Sequence, residues 1–363
     1  MKHLTFQYDV LPTRVVFGVG TMARLPEEAE RLHIHRALII CTAEQRKHAE
    51  RAQELLGPLA VGVFAGAVMH TPGHITEAAM AQVANLRADG LVAIGGGSAI
   101  GLGKALAMRT DLPQIVLPTT YAGSEATPIL GETIGNVKHT QRSEKIQPET
   151  ILYDVDLTVG LPVPVSMASG LNAIAHAVEA LYAPDRNPLT NSMAEAALKA
   201  LIDALPKIHK RANDIDARAT ALSGAWLSGS CLGLTKMGLH HKLCHTLGGT
   251  FNLPHAETHA VLLPHALAYN LPCAPDAQQT LIRVFPDTDP ARALAEFARG
   301  LDLPRSLREL DLPEAALDSA ADMAVGSPYP NPRPLERDAV RELLGRAWAG
   351  APPVTQSREI DRA

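Results

Sequence analysis

The sequence predicts an N-terminal α/β domain on a parallel, Rossmann-like sheet, joined to an all-α C-terminal domain. Three observations carry that expectation. The 363 residues are more than one hydrophobic core organises. Up to Pro118, short apolar runs alternate with helical patterns over short links, as in a parallel sheet covered on both faces. From about Gly160 the strand signals stop, and helical patterns with proline and glycine breaks run to the end.

In chain order, Arg14–Gly18 reads as a strand ending in glycine, and Met22–Leu32 as a helix. Arg36–Thr42 is a continuous apolar run, the mark of a strand buried on both faces. Lys47–Leu56 is helical and Ala60–Phe64 a strand; Ile75–Leu86 is helical and Gly90–Ile94 a strand; Ile100–Met108 is helical and Pro113–Pro118 a strand. The later helical patterns are Val165–Tyr182, Ser192–Lys210, Ala217–Gly233, Met237–Leu247, His259–Tyr269, Ala291–Arg299, Glu314–Met323 and Glu336–Trp348. The domains are expected at residues 1–157 and 158–363, and the polar tail Gln356–Ala363 is expected to fray.

Composition excludes several function classes. There are 33 basic and 38 acidic residues, a net charge of -5, with no basic block to meet nucleic acid. No apolar run approaches the ~20 residues of a membrane span, and the start, MKHLTFQYDV, lacks the apolar stretch of a signal peptide. Cys41, Cys231, Cys244 and Cys273 form no CxxC pair and read as reduced core residues of a cytoplasmic protein.

Two turns have the chemistry of a dinucleotide site. Gly95-Gly96-Gly97-Ser98 runs from a strand into a helix, where glycines let the backbone approach a pyrophosphate and the helix start supplies unpaired N–H groups. One strand later, the segment from Thr119 and Thr120 to Gly123 and Ser124 offers hydroxyls and a bend. A glycine turn alone is equally an ordinary βα link; two on neighbouring strand ends argue for a ligand. The third feature is histidine placement. Asn172 and His176 stand four apart on one helix, as do His241 and His245 on another, with His255 ten residues on. Singly, each is an ordinary polar residue. Together they converge on one cleft and suit a divalent metal or acid–base work.

These residues, with Val16-Phe17-Gly18-Val19-Gly20 and Leu263-Pro264-His265, resemble the iron-containing alcohol dehydrogenase superfamily over nearly the whole chain. The resemblance implies the fold shared with dehydroquinate synthase, with a cleft metal held by one Asp and three His. The histidines fall on His176, His241 and His255, but the Asp position falls on Asn172. Losing one negative charge weakens a dication site by several kcal/mol. No metal is therefore expected; were one retained, Asn172, His176, His241 and His255 are its ligands. The stretches Ser169–Tyr182, Met237–Gly249 and Tyr329–Pro334 are similar to the maleylacetate reductase subgroup. That similarity implies NADH- or NADPH-dependent reduction of the carbon–carbon double bond of maleylacetate to 3-oxoadipate, in bacterial breakdown of aromatic rings. The alternative is a metal-dependent alcohol or polyol dehydrogenase.

On this reading His241, His245, His255, His176 and Asn172 bind substrate and move a proton. Gly95, Gly96, Gly97, Ser98, Thr119, Thr120, Ser124 and Thr42 hold the cofactor, together with Lys138, which matches a family lysine. Thr42 and Ala43 are uncharged where an Asp would repel a 2′-phosphate, so both nucleotides are expected to serve. Lys236, Lys242 and Arg333 are candidate cations for a dicarboxylate substrate, with solvated surface charge as the bland reading. The partners expected are that small molecule and a second copy of the chain in a homodimer.

Overall fold

A computed structural model of the protein describes residues 6–10, 12–135, 137–285 and 289–355, the side chains of Val137 and Lys138 excepted. The polar tail from Gln356 and the side chain of Lys138 thus lie outside the described residues.

Strands β1 (Arg14–Gly18), β2 (Ala37–Ile40), β3 (Ala60–Phe64), β4 (Gly90–Gly95), β5 (Gln114–Pro118) and β8 (Thr150–Asp154) form one parallel sheet in the order β1-β8-β5-β4-β2-β3. Between β5 and β8 an antiparallel hairpin, β6 (Ile129–Ile134) and β7 (Val137–Arg142), stands apart from the sheet. Helices α1 (Leu25–Arg31), α2 (Arg46–Leu56), α3 (Gly73–Leu86) and α4 (Gly97–Thr110) connect the strands. Side-chain alternation along β2 explains the layers. Ile39 joins Leu25, Ala49, Ala52 and Leu56 of α1 and α2 on one face, and Leu38 and Ile40 join Val83, Ile100 and Leu106 of α3 and α4 on the other. Strands filled on both faces must be apolar throughout, hence the continuous runs.

After a short α5 (Asp156–Val159) the chain is helical: α6 (Val163–Ala180), α7 (Pro188–Lys210), α8 (Ile215–Leu234), α9 (Leu239–Phe251), α10 (His255–Asn270), α11 (Pro275–Val284), α12 (Pro290–Gly300), α13 (Ala316–Val325) and α14 (Arg337–Ala349). One core gathers α6, α7, α8 and α10 with Tyr121, Ile151 and Tyr153 from the sheet side; a second gathers α9, α10, α13 and α14. The two domains are locked at Gly123 (φ +79), the bend after β5. A Cβ on Gly229 of α8 would stand only 2.2 Å from the Gly123 carbonyl oxygen, so the backbones touch and only glycine fits. Among the described residues no helix is long and apolar enough to cross a membrane.

The expected single helix Met22–Leu32 is a 3-10 turn (Thr21–Arg24) followed by α1, because Pro26 fits only a helix's first turn. Strand β8, the β6–β7 hairpin and α11 were not expected from the sequence.

Candidate active site

The order in which strands are added reverses between β2 and β4, since the chain runs outward from β2 to β3 and then returns to the other side of β2. Ligands of such sheets bind at the carboxyl ends of the strands beside that reversal. There stand Thr42 after β2, the glycine turn after β4 and the Thr119–Ser124 turn after β5. The two turns are neighbours: Thr119 N donates to Gly95 O at 3.1 Å. Gly96 makes this closeness possible, because a Cβ there would meet Thr120 Cγ2 at 2.9 Å. At Gly97 a Cβ would meet nothing within 4 Å, so the exposed side of the turn is open. Ser98 is half-buried beside it. The buried hydroxyls of Thr119 and Ser124 have no hydrogen-bond partner among the described residues. Buried Lys104 of α4 fastens the second turn from behind, donating from Nζ to the carbonyls of Ser124 (2.5 Å), Thr127 (2.7 Å) and Ile129 (3.0 Å). Burial pushes its ammonium down to about 7. Sequence reading missed this lysine. The end of β2 is also less neutral than Thr42 and Ala43 imply, since the Thr42 side chain hydrogen-bonds the Glu44 carboxylate and holds it below the usual carboxylate range.

Across the cleft, α6, α9 and α10 bring six imidazoles together. His176 stacks on His241 with ring centroids 5.1 Å apart; His255 lies 6.2 Å from His245 and 4.4 Å from His259; His259 lies 4.7 Å from His240. Depth separates them. His245 is exposed and His255 half-buried at the mouth, whereas Asn172, His176, His240, His241 and His259 are buried. The mouth is a cavity of about 650 Å³ between His255 with the end of α9 and His70, Pro72, His74 and Ile134 of the sheet domain. Deep in the cluster, Asn172 Oδ1, His176 Nδ1, His241 Nε2 and His259 Nε2 have no hydrogen-bond partner among the described residues. Burial foremost, then the neighbouring imidazoles, hold His176, His240 and His259 well below the ordinary histidine range, so they are neutral at pH 7.

Glu179, which the sequence reading overlooked, organises the cluster. It lies one turn beyond His176 on α6, fully buried, and faces the start of α9. The residue preceding that helix, Gly238, has no side chain to cap it. Instead the Glu179 carboxylate accepts from Gly238 N (3.1 Å), His240 N (3.0 Å) and His241 Nδ1 (2.5 Å). Asn331 Oδ1 accepts from Leu239 N at 3.2 Å. A carboxylate at a helix start is stabilised by the orphan amides and the dipole, and here it also fixes the His241 ring with Nε2 turned away. This explains the role of Tyr329–Pro334: Asn331 helps cap α9.

The candidate cations make contacts of their own. Lys242 reaches Ser327 Oγ at 3.2 Å, Arg333 stacks on Tyr269 with 4.2 Å to the ring centre, and Lys236 is exposed beside Asp185. Lys242 on α9 and Arg333 on the Tyr329–Pro334 segment thus have local partners, and Asp185 accepts from the backbone N of Lys236.

The donor set does not fit the family's metal. Asn172 brings no charge, and the ring nitrogens of His176, His241 and His255 are not gathered within 4.8 Å of one another. Among the described residues the only trio so gathered is His240, Cys244 and His259. There His240 Nε2 and His259 Nδ1 share a hydrogen bond at 2.9 Å, closer than the ~3.3 Å between two nitrogens on one tetrahedral zinc. That trio is a hydrogen-bonded network.

Residues 12–155 match the family model for iron-containing alcohol dehydrogenase, and residues 166–348 the model for the C-terminal part of that family. The chain is 50% identical over 352 residues, 97% of its length and 100% of the relative's, to the maleylacetate reductase of Sphingobium indicum. It is 51% identical over 348 residues, covering 96% of itself and 99% of the relative, to that of a Rhizobium species. Among solved structures, the maleylacetate reductase of Agrobacterium tumefaciens superposes with a TM-score of 0.94 at 51% identity, over 97% of this chain and 100% of that one. The crystal structure of 1,3-propanediol oxidoreductase, at 24% identity and a TM-score of 0.89 over 95% and 100% of the two chains, shares the fold. The chain belongs to the iron-containing alcohol dehydrogenase family.

Proposed function

We propose that this chain is a maleylacetate reductase, which transfers hydride from a nicotinamide dinucleotide to the carbon–carbon double bond of maleylacetate and yields 3-oxoadipate. The observation that carries it is the neutral Asn172 set among buried imidazoles with unpartnered nitrogens, where the family calls for a carboxylate and a cation. The names borne by relatives at about half identity agree with it.

Reducing an isolated carbonyl builds charge on an alkoxide, a task suited to a Lewis-acid metal. Reducing a double bond conjugated to a ketone is different. Hydride adds to the alkene carbon β to the ketone, the π pair moves onto the ketone oxygen as an enolate, and a proton then joins the α carbon. NADH becomes NAD+, and the substrate gains one hydride, which carries both electrons, and one proton. Hydrogen-bond donors stabilise an enolate, and an imidazolium delivers the proton. His241, backed by Glu179, is assigned the proton; Asn172, His176, His245 and His255 line the substrate's path. The cavity at the mouth, with His70, His74 and His255 against the single acid Glu77, suits a dicarboxylate.

Gly95–Ser98, Thr119, Thr120 and Ser124 are assigned the cofactor phosphates and ribose, Thr42 the adenosine side and Lys138 a further cofactor contact. The proposal includes domains at 1–157 and 158–363, a homodimer, and a cytoplasmic setting in keeping with four free cysteines. A metal-dependent alcohol dehydrogenase is disfavoured by the missing charge at Asn172.

The test follows oxidation of NADH and NADPH with maleylacetate beside a panel of aldehydes and ketones. Maleylacetate is expected to give the highest kcat/KM. NADH should be preferred, with NADPH still turned over, because the acidic Glu44 follows Thr42 at the end of β2, where an acid disfavours a 2′-phosphate. Higher kcat/KM on simple aldehydes would overturn the assignment.

A further inference from the structure

His259 touches four other rings of the cluster, as many as His241 does, and no assignment above uses it. It is fully buried on α10, one turn beyond His255 and on the same face. Its ring contacts His255, His240, His241 and His176, at centroid distances of 4.4, 4.7, 5.0 and 6.4 Å. Its Nδ1 edge is taken by His240 Nε2 at 2.9 Å. Its opposite edge, Nε2, has no partner among the described residues, and neither have Asn172 Oδ1, His176 Nδ1 and His241 Nε2.

Resting on the maleylacetate reductase reading, we propose that His259 is a further substrate-binding residue: its neutral imidazole donates Nε2–H to the ketone oxygen that becomes the enolate, and His240 holds it in that tautomer. The hydrogen bond between the two rings carries one proton, which leaves two arrangements. If His259 holds it on Nδ1, then His240 carries its own proton on Nδ1. That nitrogen is also buried and without a partner, which leaves an N–H donor orphaned for good. If His240 holds the shared proton on Nε2, its buried Nδ1 is a bare lone pair and His259 carries its proton on Nε2. Each arrangement leaves one buried N–H without a protein partner, at His240 Nδ1 in the first and at His259 Nε2 in the second; we take the second, in which that N–H lies on the edge of His259 that faces away from His240. Its one unpartnered N–H is then the one on the cluster side of His259, which a substrate oxygen satisfies. Such a donor supplies what a Lewis acid supplies to carbonyl reduction: stabilisation of negative charge on oxygen, with no proton transferred. The hydride still comes from the nicotinamide, and the proton on carbon from a separate acid.

Two near-isosteric variants separate this role from a structural one, since a Gln amide approximates Nε2 and an Asn amide Nδ1. His259→Gln keeps a donor on the cluster side and is expected to retain kcat within about tenfold; His259→Asn keeps the link to His240 and is expected to lose about a hundredfold or more, as on removing an oxyanion donor. NADH affinity should be unchanged in both. A purely structural His259 predicts the reverse order, and either that order or equal loss in both overturns the proposal. A second measurement needs neither substrate nor a folded variant. The 15N spectrum of histidine-labelled wild-type protein with bound NADH should show His259 protonated at Nε2 and bare at Nδ1; the opposite tautomer overturns the donor assignment. If wild-type protein fails to reduce maleylacetate, the functional reading falls, and the variants are compared on whichever panel substrate is reduced.

Discussion

Replacing His241 by Ala is expected to lower kcat with maleylacetate by about a hundred- to ten-thousand-fold, the range for a lost general acid, while NADH affinity stays within about twofold. His241 is buried and stacked on His176 at 5.1 Å, with its Nδ1 bound to Glu179 and its Nε2 left over. A carboxylate on one nitrogen fixes the ring's orientation and leaves the other nitrogen for the substrate. The cofactor turns lie across the cleft on β4 and β5, so their geometry does not depend on this ring. Stopped-flow measurement of hydride transfer together with NADH titration checks both halves. Near-normal turnover in His241→Ala would remove this residue from the mechanism.

Replacing Glu179 by Gln is expected to cost activity and stability together. The carboxylate accepts from the backbone amides of Gly238, His240 and His241 at the start of α9 and from the His241 ring, at 2.5 to 3.4 Å. A Gln amide turns two N–H donors toward groups that are themselves donors. Breaking a buried charged network of this kind costs about 3–5 kcal/mol, and the start of α9 loses its only carboxylate cap. The expected result is a clear fall in Tm and a loss of kcat close to that of His241→Ala. The double variant should be little worse than either single one, because the two residues act as one unit. Additive losses in that cycle would show that Glu179 acts only on the helix.

Legibility in the sequence followed the physics of burial. Strands β2, β4 and β5 were readable because filling both faces of a parallel sheet requires unbroken apolar runs. Strand β8 is equally buried but ends in Thr150 and Asp154, whose polar groups are met by residues far away in sequence. Asp154 accepts from Gly20 N and Met22 N, and Thr150 accepts from Arg31. Gly135 (φ +56) follows β6, but the hairpin's strands lie outside the main sheet and their sequences lack an unbroken apolar run. In the site, pairs of residues four apart pointed to Asn172, His176, His241 and His245. The same spacing joins His255 to His259, so the signal for His259 was present and went unused. Glu179 carried no such mark. Its importance comes from which helix start it faces, which only the packing of α6 against α9 determines. Lys236, Lys242 and Arg333 had the right charge for a dicarboxylate site, but Lys242 reaches Ser327 and Arg333 stacks on Tyr269, contacts that only the packing determines.

On the proposed function, this cleft reduces a conjugated double bond with imidazoles in place of a metal. The most direct measurement is turnover of NADH with maleylacetate on protein exhaustively treated with a strong chelator and assayed for bound metal. Donor-based chemistry predicts that kcat survives chelation and that added Fe2+ or Zn2+ leaves it unchanged. Loss of activity on chelation, with recovery in proportion to metal restored, would contradict it.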